Sequence, residues 1–202
     1  MRAILEENYS TGVDININYL DQYNNAIVSP EARGVANIIA SKIIKNSERY
    51  KIVQRATDVP WAVIACLHYR ESDLNFNCHL HNGDPLAART RHEPKGRPIA
   101  PPVNGTRYTW EESAADALRY DGARLVTGLD GIPGWTLNEA LYFFEKYNGF
   151  GYRKYHDMNS PYLWSGTDQY TVGKYASDGK FDKALKDKQL GVVPILKALS
   201  FQ

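Results

Sequence analysis

The stretch "WAVIACLHYRESDLNFNCHLHNGDPLAART", Trp61 to Thr90, decides how the chain is read. Asp58-Val59-Pro60 provides a helix start, and Trp61 to Tyr69 is apolar nearly all the way round, which predicts a buried helix. That helix ends on Arg70-Glu71-Ser72. Beyond it Leu74, Phe76, Cys78 and Leu80 alternate with polar residues, as on one face of a strand. His81-Asn82-Gly83-Asp84 then carries a tight-turn signal. The expectation is a buried helix running into a small polar hairpin near residues 74–92. Four of the five histidines (His68, His79, His81, His92) and both cysteines (Cys66, Cys78) lie in or just after this stretch.

Helical signals lie on both sides. Upstream, Ser29-Pro30 reads as an N-cap followed by a first-turn proline, and Val35, Ile38, Ile39, Ile43 and Ile44 recur at helical spacing. Downstream, Thr109 with Glu112 and Thr136 with Glu139 have capping-box spacing. They open "WEESAADALRY", ended by Asp121-Gly122, and "LNEALYFFEKY", ended by Asn148-Gly149. A last helical pattern, "VPILKAL", follows Gly191. Residues 94–106 are rich in Pro and Gly and read as a loop, as does the aromatic stretch "FGYRKYHDMNSPYLWSGTDQY". Residues 1–28 are polar with no clear period and read as an N-terminal extension. The expected fold is mainly α: one helical domain over residues 1–202 with one small β-hairpin beside an active-site cleft.

Bulk properties narrow the function. The 202 residues suffice for one sizeable domain. With 43% hydrophobic and 23% charged residues the composition is that of a globular protein. A formal net charge of +1 supplies no global field for nucleic acid or an anionic membrane, so neither is an expected partner. No apolar run is long enough to span a bilayer. "MRAILEENYSTGVDINI" lacks the apolar core of a signal peptide, so synthesis in a cytoplasm without the usual export signal is expected. Two cysteines are too few for a disulfide framework. The 14 tyrosines and 4 tryptophans suit cores and sugar ligands equally.

A carboxyl group ending a buried helix has two possible fates. It is a solvated terminal charge, here beside Arg70, or it faces an apolar-walled cleft. The second environment disfavours ionisation and suits a general acid that protonates a glycosidic oxygen.

The segment "DVPWAVIACLHYRESDLNFN" resembles the lysozyme-like superfamily, in which a buried helix ends in Glu-Ser and the glutamate is the acid. Goose-type lysozymes and soluble lytic transglycosylases share that signature. They add a Tyr-Asn-x-Gly-like element after a later helix, and Tyr147-Asn148-Gly149 falls in the corresponding place. "HYRESDLNFNCHLHNGDPL" followed by "ART" is most similar to phage and prophage endolysins. The resemblance implies a lysozyme-like fold and a muramidase that cuts the β-1,4 link between N-acetylmuramic acid and N-acetylglucosamine. Glu71 would be the general acid, and bacterial peptidoglycan the partner. No cofactor or metal is implied, and a monomer is expected. Without an export signal, reaching the wall would need a membrane-permeabilising partner such as a holin.

Phage-type lysozymes also present an Asp and a Thr on the hairpin after the glutamate, with five residues between them. Asp84 and Thr90 have that separation, although twelve residues stand between Glu71 and Asp84, a longer gap than in that group. By the resemblance, Asp84 and Thr90 would hold the attacking water opposite the acid. Asn-Gly-Asp-Pro is equally ordinary turn chemistry, and threonine is common in strands. Tyr147, Tyr152, Tyr162 and Trp164 are candidates for sugar subsites, and Asn148 for a substrate hydrogen bond. Each has a competing role, in the core or as a helix cap.

Three other functions fit parts of the pattern. A lytic transglycosylase needs one glutamate and the sugar's own acetamido group, and yields 1,6-anhydro products. A zinc amidase or peptidase would draw ligands from His68, Cys78, His79, His81, Asp84 and His92, with Glu71 as base, although neither HExxH nor paired cysteines are present. A non-catalytic glycan-binding domain would keep the fold alone.

Overall fold

A computed structural model of the chain describes residues 18–122, 135–177 and 179–200. The helices are α1 (Tyr19–Asn25), α2 (Pro30–Lys45), α3 (Ser47–Thr57), α4 (Trp61–Ser72), α5 (Trp110–Tyr120), α6 (Leu137–Asn148), α7 (Gly151–His156), α8 (Pro161–Trp164) and α9 (Val192–Ala198). Strands β1 (Lys174–Ser177) and β2 (Lys180–Asp182) form an antiparallel pair with Tyr175 opposite Phe181. The fold is mainly α with one small antiparallel sheet, as the sequence predicts. Among the described residues no helix is long and apolar enough to cross a membrane.

The residues group into two compact units, one of residues up to Asn37 with Thr136–Ser200, the other of Ile38–Trp135. In the second unit α3 packs against α4 and α5. Every residue of α4 from Ala62 to Tyr69 is buried, which is why its apolar residues run all round it. The Thr109 capping box is complete: the Thr109 hydroxyl accepts the Glu112 amide at 3.2 Å, and the Glu112 carboxylate accepts the Thr109 amide at 2.6 Å. At the core, the Tyr50, His68, Phe76 and Trp110 rings form one cluster, with His68 4.5 Å from both Phe76 and Trp110.

In the first unit α6 packs against α1 and α8, and α8 against α9. The Thr136–Glu139 capping box opens α6, and Gly149 closes it at φ 94°. Gly191 admits α9 to the α8 backbone: a Cβ there would lie 2.2 Å from the Leu163 carbonyl oxygen. Within the unit's interior, the Glu145 carboxylate accepts the Tyr19 hydroxyl at 2.7 Å and pairs with Arg153 at 2.7 Å.

Three local expectations are corrected. The strand pair lies at 174–182, whereas the segment near residues 74–92 is built from turns, with one bridge between Cys78 and Pro85. Asp73 and Leu74 take positive φ, the Asn75 side chain captures the Asn77 amide, and Pro85 has no N–H for a ladder. Residues 19–25, in the stretch without clear period, form a helix opened by the Asn18 side chain. Part of the aromatic stretch after Asn148 is helical, as α7 and α8.

Candidate functional site

Glu71 sits in the last turn of α4, half-buried like Arg70 beside it, whereas Ala62 to Tyr69 are sealed in the core. Asp73 ends the helix in the left-handed region, its amide donating to the Tyr69 carbonyl at 3.0 Å. The turn after the helix folds back on this end. Gly83, at φ 79°, runs so close that an added Cβ would stand 3.3 Å from the Glu71 carbonyl oxygen. The turn carrying Asp84 is therefore packed on the end of the helix carrying Glu71, although no strand pair brings it there.

Asp84 is 8% exposed and fully engaged. Its Oδ2 accepts the amides of Arg91 at 2.7 Å and His92 at 2.9 Å, and the Asn82 side chain at 3.2 Å. Its Oδ1 meets the His92 Nδ1 at 2.7 Å. Burial pushes the carboxyl upward. The donated bonds from the His92 amide and ring and the Arg91 amide outweigh it and hold the group at about 2. Asp84 thus stays an anion that gathers the 82–92 loop around itself.

Thr90 is 4% exposed. Its hydroxyl donates to the Pro94 carbonyl and accepts the Arg97 amide at 2.9 Å. Its main chain adds bonds to Arg97 and Gly96. Both capacities of the hydroxyl are spent inside its own loop.

The four histidines of the region take separate partners. His68 meets the Tyr50 hydroxyl through Nδ1 at 3.0 Å, and burial lowers its pKa to about 4. His79 meets the Ala88 carbonyl through Nε2 and the Ser113 hydroxyl through Nδ1, each at 2.7 Å. A carbonyl only accepts, so Nε2 carries the proton and Nδ1 of the neutral ring accepts from Ser113. His81 Nε2 lies 2.9 Å from Asp116, which also holds Arg97 through two bonds of 2.9 Å. His92 pairs with Asp84. The His79 and His81 rings lie 5.8 Å apart. Even so, no three His, Cys, Asp or Glu side chains among the described residues form a group able to hold a metal ion.

In the other unit, Tyr152 and Tyr162 are 7% and 4% exposed. The Tyr152 ring packs 5.1 Å from Tyr175 and its hydroxyl accepts the Tyr175 amide at 3.3 Å, so this side chain supports the β1–β2 pair. Tyr147 is half-buried, its ring 6.0 Å from Phe143. Asn148 is the last residue of α6 and donates to Ser160 Oγ at 3.2 Å, and Trp164 is fully buried.

The partners Ser113 and Asp116 escaped the sequence reading. They are three apart on α5, a helix whose buried positions include polar and small residues, and they receive His79 and His81 respectively. A serine and an aspartate at i, i+3 on the inward side of an amphipathic helix were the available signal. Comparison with known proteins adds no relative to this local geometry: no family model, no curated protein and no solved structure matches the chain.

Proposed function

We propose that the chain is a peptidoglycan-degrading glycosidase, a lysozyme-type muramidase of the endolysin kind, with Glu71 as its general acid. The observation that carries the reading is the position of Glu71. It stands half-buried at the end of a helix in which Ala62 to Tyr69 are all buried, with the Asp84 turn packed on its carbonyl. Glu71 would give its proton to the oxygen linking N-acetylmuramic acid to N-acetylglucosamine as the bond from that oxygen to the anomeric carbon breaks. A water then adds to the anomeric carbon and returns a proton to a carboxylate. Asp84, ionised near neutral pH, gives the loop beside Glu71 a negative charge, which would favour a sugar cation in the transition state. The producing cell's cytoplasm and release through a holin-opened membrane complete the reading, on the motif resemblance.

One observation favours a second reading, the lytic transglycosylase. The Asp84 carboxylate and the Thr90 hydroxyl are both committed to their own loop, rather than set to hold a water for the reaction. In that reaction Glu71 first protonates the leaving oxygen, the sugar's own C6 hydroxyl then bonds to the anomeric carbon and gives its proton to the Glu71 carboxylate, and no water is held.

Digestion of purified peptidoglycan by the wild type and by Glu71→Gln, with the soluble products weighed by mass spectrometry, tests both. Products with a free reducing end identify the hydrolase. Products lighter by one water identify the transglycosylase. Undiminished cleavage by a folded Glu71→Gln protein overturns both.

A further inference from the structure

The first unit carries a half-open pocket of about 490 Å³, within the size range of small-molecule sites. Its lining includes Val28, Ala36 and Pro194, all buried, so its floor is apolar. Ile27, 67% exposed, forms an apolar rim. Asn37 and two cationic side chains, Arg33 and Lys197, supply its polar lining, and no carboxylate lines it.

The wall is preformed. Residues 26–29 run extended and are pinned on their far edge. The Ile27 amide donates to the Asp168 carboxylate at 2.9 Å, Val28 bridges Thr167, and the Ser29 amide donates to the Gly166 carbonyl at 3.1 Å. Lys197 reaches across to the Ala26 carbonyl at 2.9 Å with its ammonium 4.8 Å from the Tyr23 ring. Asp168 acts on it electrostatically, and its carboxylate accepts the Ile27 amide. Arg33 stands in the first turn of α2, where a cation adds to the positive end of the helix. Its guanidinium makes one long contact, 3.5 Å, to the Val28 carbonyl. Neither cation is in an ion pair with an Asp or Glu among the described residues.

From this arrangement we infer that the pocket between the 26–28 segment, the start of α2 and α9 binds a carboxylate carried on a short apolar body. The carboxylate lies between Arg33 and Lys197, and the apolar body covers Val28, Ala36 and Pro194 under Ile27. Two sources carry that chemistry, a medium-chain fatty acid and the C-terminal residues of a small-side-chain peptide. The inference is independent of the glycosidase reading, because none of its residues belongs to the Glu71 site.

Isothermal titration of the full chain with octanoate, with octanol and with N-acetyl-D-alanyl-D-alanine tests it. One saturable site for octanoate or for the peptide is expected, with octanol at least tenfold weaker, and the preferred carboxylate names the source. Arg33→Gln and Lys197→Gln should each weaken binding about tenfold, the cost of losing one charge-assisted contact. Arg33 is exposed, so its variant folds even if the other does not. Absence of saturable binding by both carboxylates overturns the inference, as does binding that Arg33→Gln leaves unchanged.

Discussion

Asp84 holds His92 twice, through the ring Nδ1 at 2.7 Å and through the backbone amide at 2.9 Å, using a different carboxylate oxygen for each. A single side chain thus fixes both ends of the 84–92 segment. Asp84→Asn keeps the shape, and its carbonyl oxygen can still accept the two amides, but it puts an NH2 opposite His92 Nδ1 and removes the charge, and is expected to cost about 2 kcal/mol. Since the folded carboxyl lies at about 2 against an ordinary 3.8, its contribution is present above pH 4 and is lost as pH falls toward 2. Urea unfolding of both proteins at pH 6 and pH 2.5 checks this: the gap between them should narrow at the lower pH.

His68 titrates in a different window. Its ring is 0% exposed, and burial holds it at about 4 against 6.5, opposed by a backbone bond with Asn75. The unfolded chain binds a proton below pH 6.5 that the folded chain refuses. Stability should therefore fall from pH 6.5 to pH 4, by about 3 kcal/mol, and flatten below. His68→Gln, which can still meet the Tyr50 hydroxyl, should lose most of that slope in denaturant titrations across this range.

Gly83→Ala tests the approach of the turn to the Glu71 end of α4. Its φ of 79° and the 3.3 Å approach to the Glu71 carbonyl both resist a Cβ. Gly96→Ala is the control, with φ 75° and nothing within 4 Å. Each should lose about 1 kcal/mol of stability from the backbone. Only Gly83→Ala should also slow peptidoglycan cleavage under conditions where both variants are folded. Equal rates for the two would detach the turn from the activity.

Glu145 is 0% exposed, and burial raises its pKa even though Arg153 and the Tyr19 hydroxyl oppose the shift. Glu145→Gln leaves Arg153 without its counter-charge and should cost about 3 kcal/mol. Tyr19→Phe removes one donor and should cost about 1 kcal/mol. Thermal unfolding measures both, and the reverse order would mean that the Tyr19 hydroxyl bond between α1 and α6 outweighs the Glu145–Arg153 ion pair between α6 and α7.

Where backbone geometry follows from local chemistry, the sequence is a sound guide. Thr109 with Glu112, Thr136 with Glu139, and Gly149 set helix ends as their spacing predicts, because each cap involves residues within one turn. The all-round apolar Trp61–Tyr69 is buried for the same direct reason. Leu74, Phe76 and Cys78 do alternate in burial with Asn75 and Asn77, so the period is real even though the backbone is not a strand. What misleads there is the asparagine side chain, which takes a backbone amide that a ladder would need. The site is legible only as far as Glu71 and the turn beside it. The partners of Asp84, Thr90, His79 and His81 lie 2 to 35 residues away along the chain, and no period encodes such pairings.

The region from Asn77 to Tyr108 holds its shape through side chains rather than through a ladder of main-chain bonds. Asp84, Thr90, His79 and the Arg97–Asp116 pair act as rivets between otherwise irregular strips of chain. Such a region should carry a sparse mutational signature. A saturation library scored for folding should show isolated intolerant positions at those rivets, separated by permissive runs at exposed residues such as Ala87, Arg91 and Lys95. An alternating or helical rhythm is not expected. Descendants of this chain are then free to rewrite the exposed surface beside Glu71, residue by residue, while the frame beneath it stays unchanged.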